Sequence, residues 1–296
     1  MFSYRHAFHA GAHPDVIKHT MLIAILRHLT QKETPLAVVD THAGAGLYRL
    51  DGDYAGTSGE AADGVIKLVS SLQSLDDATP AVRDYLEVIG GFNAPGQLKV
   101  YPGSPFITQQ LLRQEARDKL KLFELHPTDS KSLAGNVAQL EAGRQVSVVR
   151  QDGFEGLKAC LPPPSRRALV LIDPSYEIKS DYAKVAAAIQ DGLKRFATGV
   201  YAVWYPIIPR PEAHDLPRRL KTIANKAGKP WLNATLSIGQ APARPGELQH
   251  GPGLTASGMF VINPPHTLKG AMQAALPQLE QLLGRGKGQG HTLESS

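Results

Sequence analysis

Hydrophobic positions recur along the chain in short runs, separated by stretches with helical spacing. The runs are PLAVVD (35–40), LKLFEL (120–125), QVSVVR (145–150), ALVLID (168–173), GVYAVWY (199–205), LNATLSI (232–238) and GMFVIN (258–263). The first five are almost unbroken, the pattern of strands covered on both faces. Between the runs, PDVIKHTMLIAILRHL (14–29) carries apolar residues at 16, 17, 21, 22, 25, 26 and 29, an amphipathic helical spacing. The stretch 126–142 has Thr128 and Asp129 as candidate N-caps, and 180–196 opens on Ser180 and Asp181. Strand and helix alternate, which predicts an α/β fold with a doubly wound, mostly parallel sheet.

One interval breaks the rhythm. About 80 residues, 41–119, separate the first run from the second. A single crossover helix needs far fewer. Segments 60–73, 80–90 and 105–117 have helical character, with NAPGQ and YPGSP as turns. A small helical insertion is expected, at about 51–117. It would follow an N-terminal segment and first strand (1–50) and precede the rest of the sheet domain (118–283). The Gly-rich end, 284–296, reads as a flexible tail.

Composition narrows the class without changing this picture. Of 296 residues 42% are hydrophobic and 20% charged, ordinary values for a globular protein, and no run of 18 apolar residues offers a membrane span. The N-terminus is polar and His-rich, without the apolar core of a signal peptide. The single cysteine, Cys160, excludes an internal disulfide and a Cys-based zinc site, and a reducing cytoplasm is expected. Cys160 reads as a small residue at a helix end. A formal charge of +5 suits a nucleic-acid partner without requiring one. No protein partner is evident, and a monomer is expected.

The chemistry gathers where runs end. The run 35–40 ends in Asp40 and opens into the turn Gly44-Ala45-Gly46. Glycines there let backbone approach a ligand closely. A dinucleotide fingerprint would need a glycine at 49, where Arg49 stands, so NAD is disfavoured. The pattern D-x-x-A-G-x-G suits S-adenosylmethionine better, although an empty tight turn would read the same. Glu124 ends the next run, where an acid takes ribose hydroxyls in nucleoside sites; a solvent-facing Glu is the alternative. Asp152 follows the third run and can accept from an adenine amino group, with Gly153 leaving room.

The fourth run ends in Asp173-Pro174-Ser175-Tyr176. An exocyclic amine is a poor nucleophile, because its lone pair is delocalised into the ring. Two acceptors on its N–H groups, the Asp173 carboxylate and the Pro174 carbonyl, would pull it toward a tetrahedral shape. Tyr176 can stack on a flipped-out base. The sulfonium supplies the electrophile, so no metal is needed. The alternative is that Asp173 caps the next segment and Tyr176 packs in the core. A rival, Asn263-Pro264-Pro265-His266, follows the last run and is read as a strand exit with a Pro-rich turn.

Together SYRHAFHAGAHPDVIKHT, DTHAGAG, YPGSP, ELHP, DGF, LIDPSYE, YAVWYP and TASGMFVINPP resemble the RlmJ family of bacterial 23S ribosomal RNA adenine-N6 methyltransferases, nearly end to end. The resemblance implies a class I Rossmann-like methyltransferase with a seven-stranded sheet and a helical insertion. It implies S-adenosylmethionine as cofactor and 23S rRNA as partner. By position, His19, His42, Ser104, Glu124, Asp152 and Gly153 resemble the family's cofactor contacts, joined by Gly44 and Gly46 of the turn. Lys18 is expected near the cofactor's carboxylate. Asp173 resembles the catalytic acceptor and is also expected among the cofactor contacts, and Tyr4 resembles a substrate-facing residue. The N-terminal histidines 6, 9, 13 and 19 lack metal-ligand spacing, and no metal is expected. One departure stands out: the family tetrad is Asp-Pro-Pro-Tyr, and this chain has Ser175. Both acceptors survive, and the missing Pro loosens the loop. A DNA adenine-N6 methyltransferase, a non-catalytic RNA-binding relative and a small-molecule methyltransferase are the competing expectations.

Overall fold

The structure is a computed structural model that describes residues 9–51, 60–240 and 253–296. Its strands are β1 (Ala37–Asp40), β2 (Leu47–Arg49), β3 (Val100–Pro102), β4 (Lys119–Phe123), β5 (Val146–Val149), β6 (Ala168–Ile172), β7 (Val200–Pro206), β8 (Trp231–Ile238), β9 (Ala256–Ile262) and β10 (Gln289–Ser295). Its α-helices among the described residues are α1 (His13–Leu29), α2 (Val65–Ser71), α3 (Pro80–Gly90), α4 (Ser104–Leu111), α5 (Pro127–Ala138), α6 (Gly153–Cys160), α7 (Ser180–Arg195), α8 (Pro211–Lys226) and α9 (Leu268–Leu283).

The main sheet has the order β10-β8-β9-β7-β6-β1-β4-β5. The five strands from β5 to β7 are mutually parallel, and β9, β8 and β10 are antiparallel additions. Strands β6 and β7 are buried at every position, which accounts for their unbroken apolar runs. On one side α1 packs with α3, α4 and α9; α6, α7 and α8 form a second layer.

Three expectations change. Among the described residues the sheet has eight strands, not seven, because 289–295 pair with β8 from Gln289↔Ile238 to Ser295↔Leu232. The expected flexible tail is therefore an edge strand; its pairing rests on backbone groups that β8 leaves open, which composition does not reveal. Helix α1 is buried on nearly every side rather than along one stripe, since inserted helices cover the face turned away from the sheet. The insertion carries α2, α3, α4 and strand β3, which pairs antiparallel with β2 just before the insertion, so it is not wholly helical.

Candidate active site

Topology alone separates the two rival tetrads. Strand β6 runs parallel to β1 and β4, so Asp173 leaves the sheet at the same edge as Asp40 and Glu124. Strand β9 runs the other way: Tyr201, near the start of β7, pairs with Ile262 at the end of β9. Asn263 therefore lies at the opposite edge. There its side-chain amide donates to the carbonyls of Ala197 and Gly199 at 3.0 and 2.7 Å.

A cleft opens at the carboxyl edge of β1, β4, β5 and β6, where ligands bind in such sheets. His19, Gly44, Ser104, Glu124, Asp152 and Gly153 border it, as do Lys18, His42, Asp173 and Pro174. Gly44 has φ +61°, and a Cβ there would stand 2.3 Å from the Tyr48 hydroxyl. A Cβ on Gly153 would stand 1.9 Å from the Thr41 carbonyl oxygen. Bare backbone is thus required on both sides of the cleft, a cradle that fits a nucleoside-bearing ligand. Gly46 does not border it. It has φ +83°, and its Cα faces Phe106 and Leu133, so its glycine serves packing rather than the ligand.

The acids are held by backbone. Glu124 accepts from the Gly44 N–H at 2.8 Å and the His126 N–H at 2.7 Å, one on each oxygen. Burial pushes its pKa up, against those two bonds. Asp152 caps α6 by accepting from the Phe154 N–H at 2.8 Å, and so stands half-buried at the rim. Asp40 is buried; it accepts from the Ser104 hydroxyl at 2.6 Å and the His42 N–H at 3.2 Å. Burial outweighs both bonds and raises its pKa to about 6. Burial lowers His42 to about 4, so it is a neutral imidazole, packed edge-on to Phe154.

Lys18 does not stand free for a cofactor carboxylate. Its Nζ lies 2.6 Å from Asp15 Oδ1 and 2.7 Å from Asp173 Oδ2, with 5% of the side chain exposed. Burial opposes its charge, but the two carboxylates more than compensate and raise its pKa. Among the described residues, Asp173 Oδ1 and the Pro174 carbonyl receive no hydrogen bond.

Tyr176 departs from the expected stacking platform. It is 2% exposed, donates to the Trp204 carbonyl at 2.6 Å and packs on the Tyr182 and Trp204 rings. Its backbone, at φ +54°, turns the side chain into the core, where burial of the ring and its hydroxyl is satisfied. It forms the inner wall of a second cavity next to the cleft. Lys18, Asp173, Ser175 and Glu177 border both spaces, and Trp204, Pro206 and Ile208 supply an apolar wall. Tyr4 lies outside the described residues. The histidines go separate ways: His9 meets Glu60 at 2.8 Å, His13 is buried, and His19 bonds the Tyr101 hydroxyl at 2.8 Å.

Sequence reasoning missed Asp15, Tyr48, Tyr101 and Phe154. Phe154 stood in the DGF motif, and Tyr48 follows the glycine turn; Asp15 had a signal in its spacing three residues before Lys18.

A parallel sheet with an antiparallel extension and a glycine-lined cleft at its carboxyl edge defines a Rossmann-like methyltransferase. The family model described as ribosomal RNA large subunit methyltransferase D, RlmJ, matches residues 33–294, and the chain belongs to that family. It is 42% identical over 283 residues to the ribosomal RNA large subunit methyltransferase J of Escherichia coli K12, covering 96% of this chain and 94% of that one. The protein of the same name from Haemophilus influenzae is 41% identical over 284 residues, with the same coverage. A solved Legionella pneumophila protein superposes with a TM-score of 0.82 at 33% identity, covering 97% of this chain and 98% of its own. The chain is thus an rRNA methyltransferase using S-adenosylmethionine.

Proposed function

We propose that the protein methylates N6 of an adenine in 23S rRNA, as a monomer in the cytoplasm. The observation that supports this most is Asp173, which stands in the wall shared by the cleft and the second cavity. Its Oδ2 is held by Lys18, while its Oδ1 and the Pro174 carbonyl have no donor among the described residues. That leaves two acceptors for the two N–H groups of an exocyclic amine.

The bound cofactor supplies an electrophilic methyl group on sulfur. Glu124 takes the ribose hydroxyls, Asp152 the adenine amino group, and Gly44, Gly153, His19, His42 and Ser104 line the rest of the cleft. The target base enters the second cavity and lies against the apolar wall of Trp204, Pro206 and Ile208, with Tyr176 behind it and Tyr4 on the substrate side. Asp173 and the Pro174 carbonyl draw the amine toward a tetrahedral shape, and Asp173 is the nearest acceptor for the proton released. A base reached in this way is unstacked, so loop or single-stranded RNA is the preferred substrate.

Mass spectrometry of 23S rRNA nucleosides from cells with and without the gene tests the reading. A specific loss of N6-methyladenosine, restored by the wild-type gene and not by Asp173→Ala, is expected. An unchanged N6-methyladenosine content would overturn it.

A further inference from the structure

We infer that Arg210 is a positioning residue that clamps the far end of the loop Asp173-Pro174-Ser175-Tyr176 and so holds the Pro174 carbonyl in its place beside Asp173. Arg210 Nη1 donates to the Tyr176 carbonyl at 2.8 Å. Among the described residues, this is the one hydrogen bond made by the backbone of Pro174, Ser175 and Tyr176. The clamp is itself anchored. Arg210 is the N-cap of α8, and its carbonyl accepts from the Ala213 and His214 N–H groups at 3.0 and 3.2 Å. Its side chain borders the second cavity together with Ser175 and Tyr176.

The shape of the loop is what needs a clamp. Tyr176 sits at φ +54°, a left-handed backbone that a bulky residue keeps only where its surroundings impose it. The hydroxyl bond to the Trp204 carbonyl at 2.6 Å and the rings of Tyr182 and Trp204 seat the side chain. They do not hold the backbone. A residue leaves the left-handed well by changing φ and ψ together, and ψ is the torsion that turns its own carbonyl. A bond to the Tyr176 carbonyl therefore opposes that escape, and Arg210 supplies it. At the near end of the loop Lys18 holds Asp173 at 2.7 Å.

The torsions show what the clamp protects. With the Tyr176 side chain seated in the core, relaxing its φ moves the backbone that precedes it. The change must be absorbed between two fixed points, Tyr176 and Asp173. The torsions available are those of Ser175 and the ψ of Pro174, because the proline ring locks its own φ. The φ of Ser175 and the ψ of Pro174 are the two that aim the Pro174 carbonyl. In the family tetrad a second proline locks one of them; Ser175 leaves it open. In this chain the aim of that carbonyl thus depends on the loop's two ends being held. That the carbonyl meets an amine rests on the function proposed above; the clamp does not.

Arg210→Met keeps a long stem and removes the donors. Its single-turnover rate of methyl transfer at saturating RNA is expected to fall about tenfold, the scale of a misplaced reacting group, with KM for RNA and affinity for S-adenosylhomocysteine within about threefold of wild type. In the S175P background, where the ring replaces part of the clamp, the same substitution should cost about threefold or less. A raised KM with an unchanged rate would make Arg210 an RNA contact instead, and equal losses in the two backgrounds would take the loop out of the account; either overturns the inference. Backbone ¹⁵N relaxation of the wild-type protein needs no variant to fold. Ser175 is expected to be as ordered as β6, and large nanosecond motion there would overturn the clamp. If Asp173→Ala keeps wild-type turnover, the proposed acceptor pair fails and an ordered Ser175 still supports the clamp. If Asp173→Ala is inactive while Arg210→Met is not slowed, the inference fails and the acceptor pair stands.

Discussion

Lys18 donates to Asp173 across 155 residues of chain, Nζ to Oδ2, at 2.7 Å. The bond ties buried α1 to the loop after β6, and Asp15 grips the same ammonium at 2.6 Å. One cation thus holds two carboxylates inside the fold. Removing either carboxylate leaves Lys18 a partner, whereas removing Lys18 leaves buried Asp15 and half-buried Asp173 without their shared cation. Lys18→Ala is therefore expected to destabilise the protein by about 3 kcal/mol or more, and Asp173→Ala by clearly less. Urea melts of the two variants check the order, and an equal loss would refute the shared-cation account.

Asp173→Ala separates chemistry from binding. The cofactor cleft keeps Glu124, Asp152 and its glycines, so affinity for S-adenosylhomocysteine should stay within a few-fold of wild type. Turnover should fall by about 10²-fold or more, the usual scale for a lost proton acceptor. Single-turnover methyl transfer with calorimetry on the same sample reads both. Weak cofactor binding with intact turnover would place Asp173 in the wrong role.

Gly153→Ala probes the cradle. The new methyl would stand 1.9 Å from the Thr41 carbonyl oxygen, and backbone cannot yield as a flexible side chain can. Overpacking of this kind costs about 1–3 kcal/mol or more and shifts the first turn of α6. Loss of stability together with at least tenfold weaker cofactor binding is expected. Gly135→Ala, where nothing lies within 4 Å, is the matched control and should be near neutral.

The parallel half of the sheet was legible because β6 and β7 are buried on both faces and say so in unbroken apolar letters. The acids at strand ends were legible for the same reason: each stands where an apolar run stops. Strand β10 was not, since a polar edge strand that follows a Gly-rich stretch makes its bonds through backbone. Nor was the fate of Tyr176. Whether the aromatic that closes the tetrad faces a base or the core depends on its φ of +54° and on the Trp204 carbonyl 28 residues away. Spacing placed Lys18 near the site but could not show that Asp15 and Asp173 hold it from two sides.

Ser175 is the chain's departure from the family tetrad, and the reverse substitution tests its meaning. Its N–H donates no hydrogen bond among the described residues, and its φ is not in the left-handed region. Ser175→Pro should then remove nothing and restrict the unfolded chain, a gain of about 0.4–1 kcal/mol. Turnover should be maintained or modestly raised, because the loop carrying Asp173 and the Pro174 carbonyl stiffens. Thermal melts and kcat on RNA give the answer; a large loss of either would mean that the serine itself is needed.

Acid should weaken the fold, and the sign follows from buried His13 and Asp40 and half-buried His42. Burial, then the Arg285 charge, lower His13 from 6.5 to about 3, and burial lowers His42 to about 4. A histidine depressed in the folded state contributes stability that is complete above about pH 6.5 and is lost as pH falls toward the folded value. Asp40 works the other way: burial raises it from 3.8 to about 6, so its contribution is present at low pH and is lost as pH rises through about 6. Between pH 7 and 5 two histidines outweigh one aspartate, and the net loss should be roughly 2–3 kcal/mol. Urea melts at the two pH values measure it. His13→Gln, which cannot titrate, should remove about half or more of that loss, and an unchanged slope in that variant would show that His13 is not the group that charges.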